Sequence, residues 1–137
     1  MPRITFSQNG NSPFQQLLGH NQEIMENWNR LGDVLGSDGV LSNQLKEQVR
    51  RTLAQHNGCE YCKAKGRPSD DQFDEKTSVA VGFAEAFLKY KGEFPSNVFA
   101  VLHDTFDDKE ISELCAFICF TTASQYFGAI TDLKPIE

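Results

Sequence analysis

Residues 42–62 read SNQLKEQVRRTLAQHNGCEYC, and their pattern decides the class of fold. Ser42 is a good N-cap. From it Leu45, Val49 and Leu53 recur at helical spacing, which predicts a helix running to Gln55 or His56, with His56 on the same apolar stripe. Asn57-Gly58 stops that helix, and Cys59 opens a short one. Two cysteines separated by Glu60 and Tyr61 can close a disulfide across one turn and release it again. At a helix entrance the first sulfur also meets the positive end of the helix dipole, which favours its thiolate. The spacing points to redox chemistry and leaves the substrate open.

The helical period continues in both directions from this stretch, and no useful segment alternates with period two. A short helix is expected over 12–18. A second spans 21–35, with Ile24, Trp28, Leu31 and Leu35 on one stripe. A loop over 66–70 precedes a helix over 71–91. Pro95 suits the first turn of a sixth helix ending near Asp104. Asp107 with Glu110 makes a capping-box start for a seventh, which runs to about Phe127. The expected class is all-α: a compact helical domain of about six or seven helices over 12–137. Residues 1–11, polar with Gly and Asn, read as a flexible arm.

Two helices are apolar over a wide arc. In the fifth, Phe73, Val79, Val81, Phe83, Ala84, Phe87, Leu88 and Tyr90 cover most of the circumference. In the seventh, Ile111, Leu114, Cys115 and Ile118 form one stripe, while Ala116, Phe117, Phe120 and Phe127 point elsewhere. A helix apolar nearly all round is buried on several sides, and a domain this small has little room for two central helices. A homo-oligomer with these helices at its contacts is therefore expected.

The bulk numbers narrow the function classes. The chain has 137 residues and a formal net charge of −6, which argues against nucleic acid or an anionic membrane as partner. The longest apolar run, 114–120, is too short to span a bilayer. Met1-Pro2-Arg3 is followed by polar residues rather than an apolar stretch, so the expected compartment is the cytoplasm. Structural disulfides are disfavoured there, and a close cysteine pair is read as catalytic or metal-binding.

A free thiol ionises near a pH of about 8.5, and a helix N-terminus or nearby cations lower that toward about 7. Lys63, Lys65 and Arg67 follow the pair closely. The second cysteine then resolves whatever forms on the first. The competing readings are inert burial of the pair, chance spacing, and structural zinc. Zinc needs four ligands, and Cys115 with Cys119 is the only other pair on offer. These two lie on or beside an apolar stripe, where cysteine acts as a small hydrophobe. No metal and no cofactor is expected. His56, three residues before Cys59, is either packed in the core or able to stabilise a thiolate or carry a proton. Glu47 either pairs with Arg51 on an exposed face or serves as a proton acceptor near the cysteines.

These residues resemble the carboxymuconolactone decarboxylase and alkylhydroperoxidase D-like superfamily. The likeness runs from Phe14-Gln15-Gln16-Leu17-Leu18-Gly19-His20-Asn21 through Leu41-Ser42-Asn43-Gln44-Leu45-Lys46-Glu47 to Asn57-Gly58-Cys59-Glu60-Tyr61-Cys62. It resumes at Phe106-Asp107-Asp108-Lys109-Glu110-Ile111 and Glu113-Leu114. The resemblance implies an all-helical fold assembled as trimers, hexamers or related rings. It also implies, for members with the cysteine pair, a peroxidase or disulfide reductase in which an upstream glutamate, the two cysteines and a following histidine relay protons. Glu47, Cys59 and Cys62 match that set. The expected relay histidine is Gly66 here, and the position between the cysteines that is sometimes histidine is Tyr61. His56 is the candidate substitute, and His20 is read as structural.

The reading is a thiol-dependent oxidoreductase with Glu47, Cys59, Cys62 and His56 as site residues, a hydroperoxide or disulfide as substrate and an external thiol as reductant. The alternative is a non-catalytic oligomer using the pair as a redox sensor or structural link. A lactone decarboxylase or isomerase is disfavoured, because such members of the superfamily generally lack the pair.

Overall fold

Six helices open on a side chain that turns back onto the backbone, five of them through an oxygen. Ser12 accepts from Gln15 N, Asn21 from Ile24 N, Ser42 from Leu45 N, Asp74 from Thr77 N and Asp107 from Glu110 N. Each bond satisfies a donor that the first helical turn leaves free. The computed structural model describes residues 1–136. The helices are α1 (Pro13–Leu18), α2 (Gln22–Gly36), α3 (Asn43–Ala54), α4 (Glu60–Lys63), α5 (Glu75–Tyr90), α6 (Ser96–Thr105) and α7 (Asp108–Ile130). A 3-10 turn covers Asp70–Gln72, and no strand occurs among the described residues. The all-α expectation holds. None of these helices is long and apolar enough to cross a membrane.

Three boundaries differ from the sequence reading, each for a local reason. α5 begins at Glu75 rather than residue 71, because Asp74 takes the cap and Phe73 stays outside the helix in extended backbone. α3 stops at Ala54, so His56 lies beyond it and is exposed rather than on the buried stripe. α7 runs through Gly128 to Ile130. That glycine does not end the helix; it lets another element approach.

The principal core is built from the stripes that the helical period marks. Leu45, Val49 and Leu53 of α3 meet Ala80, Val81, Phe83 and Ala84 of α5 and Ile111, Leu114, Phe117 and Ile118 of α7. α6 closes the far side through Leu102, and there the Phe94 ring stacks on Phe83 while Phe99 meets it edge-on. The apolar breadth of α5 is thus largely covered within one chain. The α2 stripe is covered less well: Trp28 and Leu35 are half-buried, while Ile24 and Leu31 remain exposed. α7 shows solvent a line of small residues, Ala116, Cys119 and Ala123, the last of which lies beside Ile24 and Leu31.

One buried charge crosses this core. Lys46 is 1 % exposed. Its Nζ donates to Ser37 O at 2.8 Å and lies 3.1 Å from Glu113 Oε2, which also accepts from Leu41 N. The cluster ties the α2–α3 connection to α7. Burial raises the Glu113 pKa, but the Leu41 N–H and the Lys46 ammonium outweigh it and hold the carboxyl below its ordinary value. The segment read as a flexible arm is tethered at several points. Arg3 N donates to Thr131 O, Ser7 N to Gln16 O and Asn9 Nδ2 to Gly19 O. His20 Nε2 lies 2.5 Å from Thr5 O, a structural position for that ring.

Candidate functional site

The connection from α3 to α4 carries the cysteines, and polar bonds fix it before any sulfur is considered. Gly58 sits at φ +82°, a left-handed conformation that glycine adopts at little cost. Just before it, the buried Asn57 donates through Nδ2 to Gln125 Oε1 at 2.8 Å, and Gln125 Nε2 donates to Arg50 O at 3.2 Å. One side chain of α7 thereby holds both the end of α3 and the turn into the pair. Cys59 is the N-cap of α4, and its Sγ accepts from Cys62 N at 3.1 Å. α4 is a single turn, so the dipole facing Cys59 is small; the Cys62 N–H itself is the donor that meets the sulfur.

Cys59 and Cys62 are joined as a disulfide. They form a small apolar cluster with Ala54, against which Tyr61 and Ala129 pack. The cluster exists because α7 has no side chain at residue 128: a Cβ built on Gly128 overlaps Cys59 Sγ and comes within 3.6 Å of Cys62 Sγ. The two sulfurs are not equivalent. Cys59 is 1 % exposed and Cys62 is 9 % exposed. Only Cys62 borders a cavity of about 380 Å³ between α2, α7 and the α3–α4 connection.

That cavity has two kinds of wall. The α3–α4 side contributes Arg50, Tyr61, Cys62 and Lys65, and the opposite side contributes Gly32, Leu35, Phe117 and Phe120. Arg50 Nη1 donates to Cys62 O at 3.2 Å, which fixes a guanidinium beside the pair. Glu47 grips the same guanidinium, with Oε1 2.6 Å from Nε and Oε2 3.0 Å from Nη2. Its Oε2 also accepts from Arg51 Nε at 3.0 Å. Burial raises the Glu47 pKa, but the hydrogen bonds and charges of Arg50 and then Arg51 prevail, and the carboxyl is held below its ordinary value. Glu47 is therefore a clamped carboxylate with little tendency to take a proton. The Glu47–Arg51 ion pair, one of the two readings of Glu47 in the sequence, is present but half-buried, with Arg50 as a second and closer partner.

The place where the resemblance expects a relay histidine is shaped for glycine. Gly66 has φ +125°, and a Cβ there would lie 3.5 Å from Arg51 Cζ. Arg51 reaches on to Arg67 O and Ser69 Oγ. A guanidinium thus stands beside Gly66. His56 lines a different cavity, with Glu85, Lys89, Lys91 and Tyr126, and that lining contains neither cysteine of the pair. Cys115 packs on the principal core, whereas Cys119 is exposed. Burial, with a smaller effect from Cys119, pushes the Cys115 thiol up. Among the described residues no group of three or more His, Cys, Asp or Glu side chains gathers as metal ligands would.

The structure thus brings Cys59, Cys62 and Glu47 to one place, with Arg50 between them, and sets His56 apart. Sequence reasoning missed Arg50, Lys65 as a wall residue, Gln125 and Gly128. Arg50 had a signal, since it sits three residues after Glu47 and so on nearly the same helix face. Gly128 and Gln125 had none, because their partners are distant in sequence. No protein-family model matches this chain, and no curated protein matches it.

Proposed function

We propose that the chain is a thiol-dependent oxidoreductase of the alkylhydroperoxidase D-like type, a peroxidase or disulfide reductase that works as a cytoplasmic homo-oligomer. The observation that carries this reading is the asymmetry of the pair: a disulfide whose outer sulfur, Cys62, borders a cavity while its inner sulfur, Cys59, is sealed under α7.

In the reduced state the Cys62 thiolate forms beside the Arg50 guanidinium, a favourable setting for a sulfur anion. It attacks the terminal oxygen of a hydroperoxide. The O–O bond breaks, the alkoxide takes a proton from water and leaves as an alcohol, and Cys62 becomes a sulfenic acid. The Cys59 thiol gives up its proton and attacks that sulfur. The S–O bond breaks, and the departing hydroxide with that proton makes water. An external dithiol then reduces the disulfide by exchange and is itself oxidised. Glu47 holds Arg50 and Arg51 in place and stays ionised throughout, so protons reach the sulfurs through water in the cavity.

A non-catalytic redox sensor is the second reading, favoured by one feature: Gly66 with Arg51 beside it, where a proton-relaying histidine would serve turnover. Peroxide consumption with a dithiol reductant separates the two. Catalytic turnover that disappears in Cys59→Ser and in Cys62→Ser supports the peroxidase. One stoichiometric oxidation without cycling supports the sensor, and lactone chemistry that survives in both variants would point to the decarboxylase branch. The exposed Ile24 and Leu31 of α2, with Ala123 of α7 beside them, are the surface we assign to subunit contact. Sedimentation at micromolar concentration tests that assignment, and a monomer would remove it.

A further inference from the structure

The cavity beside Cys62 carries more information than the pair alone. Both of its cations, Arg50 and Lys65, come from the wall that holds Cys62. They do not have the same freedom. Arg50 is already bound by Glu47. Lys65 has no carboxylate partner among the described residues, and its Nζ lies 4.7 Å from the centre of the Tyr61 ring. No Asp or Glu lines the cavity, although acids outnumber bases in the chain. Burial, and then the neighbouring Arg50 charge, lower the Lys65 pKa against a smaller opposing pull from Glu47. Lys65 is nonetheless an exposed residue, so its ammonium is open to an arriving anion. Facing the cations, Leu35, Phe117 and Phe120 offer an apolar wall, with Phe14 also on the lining.

We propose that the oxidant this cavity selects is an acyl hydroperoxide, a peroxycarboxylic acid with an apolar chain. This deepens the peroxidase reading and rests on it. The apolar chain lies against Phe117 and Phe120, and the peroxy end meets Cys62. The thiolate attacks the terminal peroxy oxygen, the O–O bond breaks, and a carboxylate leaves directly as the anion. That anion forms beside Lys65 and Arg50, on the same wall as the sulfur. A neutral alkyl hydroperoxide releases an alcohol and makes less use of the unpaired ammonium. The product of the favoured reaction is therefore an alkyl carboxylate, and the cavity is a binding site for one.

Binding is measured first, because it does not require turnover. Octanoate and octanol are titrated calorimetrically into the oxidised protein, with emission of the single tryptophan followed in parallel. Trp28 is well placed to respond: its Nε1 donates to Ser124 Oγ at 3.0 Å and its ring lies 5.3 Å from that of Phe120, and both partners line the cavity. Octanoate is expected to bind about tenfold more tightly than octanol, with Lys65→Met removing that preference and Lys65→Arg keeping it. In turnover, Lys65→Met is expected to lower kcat/KM for peroxyoctanoic acid by about tenfold, and to lower it less for octyl hydroperoxide.

Equal binding of octanoate and octanol, or a preference untouched by Lys65→Met, overturns the proposal even if the protein proves an active peroxidase. A Lys65-dependent octanoate preference in a protein that turns over no peroxide keeps the anion site and removes the peroxidase reading beneath it, and with it the acyl hydroperoxide as substrate. Circular dichroism of the Lys65 variants guards against loss of fold.

Discussion

The protein has two apolar clusters that are built by opposite means. The principal core is made of large side chains at regular helical spacing, with Leu45, Val49 and Leu53 of α3 facing Ala80 and Ala84 of α5 and Leu114 and Ile118 of α7. The cluster around the disulfide is made of small residues, Ala54, Cys59, Cys62 and Ala129, with Tyr61 at its edge, and of a missing side chain at Gly128. The first gains stability from area removed from water. The second holds two sulfurs by close backbone approach and polar bonds, through Gln125, Asn57 and Arg50. Loss of one methylene matters in the first, and gain of one methyl group matters in the second.

The largest expected effect falls on the principal core. Leu114 is fully buried at 0 % exposure. Leu114→Ala is expected to cost about 4 kcal/mol of stability, measured by denaturant unfolding. The rate of disulfide closure per folded molecule should nevertheless stay near that of the wild type. A matching loss of sulfur reactivity would break the comparison, because it would make the two clusters one cooperative unit.

Next in size is the buried ion pair that pins α7 to the start of α3. Glu113→Gln leaves the Lys46 ammonium facing only the Ser37 carbonyl and a neutral amide. The expected cost at neutral pH is about 3 kcal/mol, the low end for breaking a buried pair, since Glu113 retains some exposure. The pH dependence has a definite sign. The folded-state pKa of Glu113 lies below the ordinary value of 4.5, so its contribution is complete above that pH. The contribution is lost as pH falls through the lower folded value. Wild-type stability should therefore fall on acidification below about pH 4.5 with a steeper slope than that of Glu113→Gln. Parallel slopes would mean that Glu113 titrates normally in the folded chain.

Gly128→Ala tests the other cluster. Alanine suits a helix better than glycine by about 1 kcal/mol, yet its Cβ overlaps Cys59 Sγ. α4 must shift, so a net loss of about 2 kcal/mol is expected. The larger signature is chemical: peroxide turnover should drop about a hundredfold, because the resolving sulfur is misplaced. In the reduced protein, Cys59 should also become accessible to alkylation. A gain in stability with unchanged turnover would show that the close approach is incidental.

The same division explains what could be read in the sequence. Helices whose buried residues recur at a fixed period announce themselves, and caps such as Ser42 and the Asp107–Glu110 box mark their starts. The all-α class and nearly every element follow from those local signals. Glu47, Cys59 and Cys62 were legible because they lie in one short stretch. What was hidden depends on distance in sequence. Gly128 reads as a helix end until Cys59 is seen against it. Lys46 carries no local signal of burial, because its partner Glu113 is distant in sequence. His56 reads as a continuation of that stripe, because nothing local shows that α3 ends at Ala54.

His56 therefore carries the smallest expected effect and the cleanest negative. It is exposed, and the residues it lines up with, Glu85, Lys89, Lys91 and Tyr126, bound a cavity that excludes both cysteines of the pair. His56→Ala should change stability by less than about 0.5 kcal/mol, as exposed substitutions do. An imidazole on the proton path would impose a limb on the rate profile in the neutral range, and its removal would erase that limb. We expect the peroxidase rate against pH to be the same in His56→Ala and wild type. A lost limb would mean that substrate and protons reach the sulfurs from the α5 side, and Cys62 would no longer be the sulfur that reacts first.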